Sequence, residues 1–159
     1  SALVQLVAGE SSERRPGRDF VLSRLVEVLL IEALRATPGE GTPPGLLRGL
    51  ADAQLAAALR KMHGHVSRPW TVEQLAKTAA LSRSAFFERF SRTMGMAPME
   101  YLLGWRMAVA KDLLGRCALG ITEVADRVGY GSASAFSTAF SRHVGQAPSH
   151  YVASVRAIA

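Results

Sequence analysis

Two stretches of this chain repeat each other at an offset of fifty residues. Residues 82–101 read SRSAFFERFSRTMGMAPMEY, and residues 132–151 read SASAFSTAFSRHVGQAPSHY. The shared positions are Ser82/Ser132, Ser84/Ser134, Ala85/Ala135, Phe86/Phe136, Phe90/Phe140, Ser91/Ser141, Arg92/Arg142, Gly95/Gly145, Ala97/Ala147, Pro98/Pro148 and Tyr101/Tyr151. Upstream the offset becomes forty-nine, Ala76 matching Ala125, so the second turn (Gly129-Tyr130-Gly131) is one residue longer than the first. Two copies are too few for a solenoid, whose repeats need several neighbours to bury a continuous core. The fold expected is therefore a duplicated unit.

The shared residues have a physical logic. Phe86 and Phe90 are four apart, as are Phe136 and Phe140, so each pair lies on one helical face and anchors it to a core. Gly95 and Gly145 stand where a helix ends and a left-handed cap is wanted. Pro98 and Pro148 suit the first turn of the next helix, where a missing N–H costs nothing. Tyr101 and Tyr151 are placed to pack back on their units. Each half reads as helix, short turn, helix, glycine stop, proline restart.

The rest of the chain is also helical in pattern. Residues 20–35 are apolar over most of a helical circumference, with Asp19 as N-cap, and residues 37–45 (TPGEGTPPG) read as a linker. Such a helix packs either on a preceding domain or on residues 46–159. Asp52 to Met62 is an alanine-rich helix. Thr71 and Gln74 form a capping box, and a second such start is expected at Gly120-Ile121-Thr122-Glu123. No strand-like alternation of useful length occurs. The chain is expected to be all-α, with some eight helices.

Charge is unevenly placed. Residues 1–49 carry six arginines and six acids, whereas residues 50–159 carry thirteen Lys or Arg against seven acids. The whole excess of +6 thus lies in the repeated part, which points to a polyanionic partner there. The sequence offers no transmembrane run and no secretory leader pattern. With a single cysteine, Cys117, a cytoplasmic setting is expected. The chain opens on Ser1 rather than methionine, as a piece of a longer protein would.

Helix, three-residue turn, helix is a known DNA-docking shape. The competing reading is a helical protein-interaction or dimerisation module without DNA binding. At Ile121–Tyr151 (ITEVADRVGYGSASAFSTAFSRHVGQAPSHY) the chain resembles the second helix-turn-helix signature of the AraC/XylS family of transcriptional regulators, and residues 70–105 resemble the first. The resemblance covers residues 50–155. Residues 3–50 more weakly resemble the end of that family's cupin-like sensor domain and its linker.

The resemblance implies residues 1–45 as sensor end and linker, and 46–159 as a tandem helix-turn-helix domain. Within it fall a first unit at 71–94, a connecting helix at 98–115 and a second unit at 121–145. The connecting helix would wrap both lobes with Tyr101, Leu102, Trp105, Ala108, Val109 and Leu113. Two recognition helices, about 82–94 and 132–144, would then enter successive major grooves, with the DNA bending to suit.

The faces turned from the paired phenylalanines are the expected readers of bases. On the first helix these are Arg83, Ser84, Phe87 and Glu88; on the second, Ala133, Ser134, Ser137 and Thr138. Glu88 suits cytosine N4, and Phe87 or Ala133 a thymine methyl. The second helix is poor in long donors, a departure from family members with arginine or glutamine on both helices. Phosphate contacts are expected from Ser82, Arg92, Arg106, Ser132, Arg142 and His143. For each of these the alternative is a solvated surface charge. Arg106 has a further one, bracing the connector, and Glu88 another, pairing with Arg92 four residues on.

No catalytic set is apparent, and no cofactor or metal is expected. His63 and His65 lack a third ligand and better mark a helix C-terminus. Cys117 fits a small buried residue better than a redox sensor. The expected partners are promoter DNA and RNA polymerase. A second copy would bind through the sensor domain or helix 20–35, and an effector only in the sensor domain.

Overall fold

Helix follows helix through the computed structural model, which describes residues 44–116 and 119–158, and no strand occurs among these described residues. The expected apolar helix 20–35, most of the linker and Cys117 lie outside the described residues. All described residues belong to one unit that begins at Pro44.

The helices are α1 (Leu46–Ala51), α2 (Ala53–Gly64), α3 (Val72–Thr78), α4 (Arg83–Met94), α5 (Pro98–Arg116), α6 (Ile121–Arg127), α7 (Ala133–Val144) and α8 (Pro148–Ile158). Their ends follow local chemistry. Asp52 caps α2 by accepting from the N–H groups of Gln54 and Leu55. Thr71 and Gln74 close the expected capping box on α3. Ser82 and Ser132 cap α4 and α7 through Ala85 N–H and Ala135 N–H. Gly95 (φ 78°) and Gly145 (φ 86°) end those helices in the left-handed conformation. The start of α6 departs from expectation: Gly120 is its N-cap and supplies no side-chain bond, so Thr122 falls inside the first turn.

The described residues build two cores. Leu55, Leu59 and Met62 of α2, Leu75 of α3 and Phe86, Phe90 and Met94 of α4 form the first, closed by Leu102 of α5. Val124 of α6, with Phe136 and Phe140 of α7, forms the second, closed by Met107, Ala110 and Leu114 of the same α5. The aromatic stacks repeat almost exactly in geometry. Phe86–Phe90 and Phe136–Phe140 centroids both lie 5.5 Å apart. Tyr101 meets Phe90 edge-on at 5.8 Å, and Tyr151 meets Phe140 edge-on at 5.6 Å. Fully burying each such phenylalanine is worth about 1.5–3 kcal/mol, enough to lock the orientation of its helix.

Of the connector residues expected to face the lobes, Tyr101, Leu102, Val109 and Leu113 pack on the two cores, but the buried stripe is not the one foreseen. Ala108 is exposed, while Met107, Ala110 and Leu114 are fully buried. Steps of five, three and four residues from Leu102 turn the buried stripe from one lobe to the other.

Candidate nucleic-acid interface

Each helix-turn-helix unit turns in the same way. In the first, Ala80 has φ 53°, Ala80 N–H donates to Lys77 O (3.1 Å) and Leu81 N–H to Ala76 O (3.0 Å). In the second, Gly129 has φ 84°, with Gly129 N–H to Asp126 O (3.1 Å) and Tyr130 N–H to Ala125 O (2.9 Å). Both are the paired-bond ending in which a left-handed residue stops the helix and the next side chain dives into the core. Leu81 and Tyr130 fill that role. The glycine signal that marks such a turn is present at 129 and absent at 80.

The turns bring α4 and α7 out with their N-terminal halves bare. Arg83, Ser84, Phe87 and Glu88 are all exposed, Phe87 at 45% despite its size. With Val72 they line one open concavity. On α7, Ser134 and Thr138 are exposed and Ala133 and Ser137 half-buried; the Thr138 hydroxyl donates to Ser134 O at 3.0 Å. The structure thus gathers the four expected readers on each helix at one end of that helix. The first surface carries charge and an aromatic ring; the second carries only small side chains.

Glu88 makes no ion pair among the described residues, so the alternative of a pair with Arg92 is not realised. Arg83 instead pairs with Glu73 of α3, Nε to Oε1 2.7 Å. Arg92 and Arg142 are exposed and follow Glu88 and Thr138 by four residues, about 40° around the helix. They stand beside the exposed residues named above. The Ser82 and Ser132 hydroxyls serve as caps, so a phosphate there meets the helix ends themselves.

Two expected phosphate residues stand elsewhere. His143 is five residues beyond Thr138, about 140° around α7. Seven residues on from Phe136, it lies nearly in line with that buried ring and on the side away from Ser134 and Thr138, though exposed beyond the end of the core. Arg106 is turned inward. Its Nε donates to Val66 O (3.1 Å) and one terminal nitrogen to Arg68 O (2.9 Å). Its guanidinium lies 5.9 Å from the Tyr130 ring centroid. Burial lowers its pKa while Tyr130 opposes the shift. Arg106 is a brace, with two of its three nitrogens held on backbone carbonyl oxygens.

One arginine escaped sequence reasoning altogether. Arg89 Nε donates to Asp52 Oδ2 and its Nη1 to Gln54 Oε1, both at 2.7 Å, and Gln54 in turn donates to Ala79 O at 3.0 Å. The network ties α4 and the turn before it to the start of α2. Its partners are more than thirty residues away in sequence, so only the repeat could have hinted at it: Arg89 corresponds to the apolar Ala139.

His63 closes α2 as expected, and its Nε2 lies 2.8 Å from Tyr101 Oη while its ring stacks on Trp105 at 4.2 Å. Burial lowers its pKa.

Two helix-turn-helix units hung on one shared helix, each with an exposed reading end, define a tandem helix-turn-helix protein. The model of a helix-turn-helix domain family matches residues 75–154, and a cupin model matches residues 1–37. The chain is 39% identical over 128 residues to a putative AraC-like transcription regulator of Streptomyces lividans, covering 79% of this chain and 42% of that protein. It is 38% identical over 127 residues to the HTH-type transcriptional regulator AlkR of Acinetobacter baylyi, with the same coverage. Among solved structures, the DNA-binding domain of the global transcriptional factor AdpA, crystallised with a target DNA, aligns at TM-score 0.61 and 34% identity. That alignment covers 64% of this chain and 92% of that one. The chain belongs to the AraC-type helix-turn-helix family of transcription regulators. It spans about two-fifths of the length of these curated relatives.

Proposed function

We propose that residues 46–159 bind duplex DNA at two successive major grooves, with α4 and α7 as the reading helices. The units at 71–94 and 121–145 are held by the connector at 98–115, and residues 1–45 are the end of a sensor domain and its linker. The observation that carries this reading is the paired exposure of two phenylalanine-anchored helix ends on one continuous helix. Arg83, Ser84, Phe87 and Glu88 read bases on one half-site; Ala133, Ser134, Ser137 and Thr138 read them on the other. Arg92, Arg142 and the helix starts at Ser82 and Ser132 hold phosphates. Discrimination is stronger at the α4 half, which has a long donor, a carboxylate and a ring. The α7 half, with small side chains only, leans on phosphate contacts and DNA shape.

In this role the protein acts in the cytoplasm, at promoters, where it recruits or blocks RNA polymerase, and no catalysis is assigned to it. An effector would engage the sensor domain, and a second copy either the sensor domain or residues 20–35.

The test is selection of bound sites from random duplex DNA, followed by titration at rising salt. About four phosphate contacts predict an affinity that drops roughly a hundredfold between about 50 and 200 mM salt. Glu88→Ala should relax the preference at one base position. Absent or salt-independent binding would instead favour a protein-interaction module, and an unchanged base preference would refute Glu88 as a reader.

A further inference from the structure

Glycine at position 129 is not explained by its left-handed backbone alone. Ala80 occupies the same place in the first turn with φ 53° and keeps its Cβ. What differs is the neighbour. A Cβ on Gly129 would stand 2.6 Å from Ser67 O and 3.0 Å from an Arg106 terminal nitrogen, whereas Ala80 is exposed. The second unit's turn is therefore pressed against the loop between α2 and α3 of the first unit.

The same loop receives Arg106 from the connector, on the carbonyls of Val66 and Arg68. The loop is itself fixed: Trp70 Nε1 donates to His65 O at 3.0 Å, Arg68 N–H donates to the same carbonyl at 3.1 Å, and the Arg68 guanidinium lies 4.3 Å over the Trp70 ring. Tyr130, next to Gly129, has its ring centroid 5.9 Å from the Arg106 guanidinium. Beyond the shared helix, a second connection thus joins the lobes, running from Val66–Arg68 through Arg106 to Gly129 and Tyr130.

We infer that Arg106 and Gly129 form an interlobe latch that sets the relative position of the two reading helices, and so determines which spacing between half-sites the protein accepts. This rests on the DNA-reading role proposed above. Without the latch the lobes share only one helix, which can bend and twist. With it, they are joined at two points and resist the rotation of about 34° that one inserted base pair demands. Arg106 and Gly129 are positioning residues; neither needs to touch DNA.

The experiment compares the full chain with Arg106→Lys and Gly129→Ala. Lysine keeps the charge that a phosphate contact would need but cannot hold two carbonyls in one plane. Each protein is titrated with the selected site and with the same site carrying one extra base pair between its halves. The wild type should lose about tenfold or more on the longer site, and both variants should show a loss under about threefold. Equal losses in all three proteins would overturn the inference, and a wild type binding no duplex would overturn the DNA reading and the spacing rule with it. A DNA-free readout separates the two: spin labels at Lys77→Cys and Asp126→Cys, in a Cys117→Ser background, should give a narrow distance distribution that broadens in both variants. Unchanged distributions in folded variants would overturn the latch itself, whatever the DNA result.

Discussion

The Nε of Arg83, the only long donor at the reading end of α4, lies 2.7 Å from a carboxylate oxygen of Glu73 on the preceding helix. Both side chains are largely exposed, at 70% and 56%, so the pair is worth only about 0.2–1 kcal/mol. A base or phosphate must nonetheless displace it. Glu73→Gln should therefore tighten DNA binding by up to about fivefold, measured by anisotropy titration near physiological salt. Unaltered affinity would mean that Arg83 remains on Glu73 in the complex.

Ala80 holds a left-handed backbone that costs a residue with a Cβ roughly 1–2 kcal/mol. It is exposed, so nothing else is lost by removing the methyl. Ala80→Gly should raise stability by about 1 kcal/mol in chemical denaturation. A destabilised variant would show that the methyl has a packing role in the turn.

The middle of the connector contains Gly104, where an added Cβ meets nothing within 4 Å. Glycine inside a helix costs about 0.5–1 kcal/mol relative to alanine. Gly104→Ala should raise the melting temperature by roughly 4–8 °C per kcal/mol gained. A lower melting temperature would reveal a bend that the alanine cannot follow.

His63 supplies the pH dependence that can be assigned. Burial against Tyr101 and Trp105 lowers its folded pKa from the ordinary 6.5, so the unfolded chain takes up the proton first. Stability should be full above pH 6.5 and decline as pH falls below it. In His63→Phe, the difference in melting temperature between about pH 7.5 and 5.5 should shrink. An equal difference in both proteins would assign the dependence to another group.

Much of this architecture could be read from the chain because its signals are local. Phe86/Phe90 and Phe136/Phe140 are four apart and both pairs are buried; Gly95 and Gly145 end helices; Thr71 and Gln74 close a capping box. What stayed hidden depends on residues distant in sequence. No local pattern shows that Arg89 reaches Asp52, or that Arg106 turns to Val66 and Arg68 rather than outward. Met107, Ala110 and Leu114 were overlooked for a related reason: a helix that serves two cores in succession has no single apolar stripe. Ala80 was illegible as a left-handed residue because alanine carries no signal for that conformation. The exposed sides of α4 and α7 follow by exclusion, as those opposite the phenylalanines; that their residues read bases is the proposal made above.

The connector surrenders Leu102 to one core and Met107, Ala110 and Leu114 to the other. It is common property. Severed before Leu102, it strips the first unit of its lid; severed beyond Met107, it opens the second and leaves the first trailing a greasy stub. The two lobes, one compact unit from Pro44 on, are therefore expected to melt together rather than as two modules on a string.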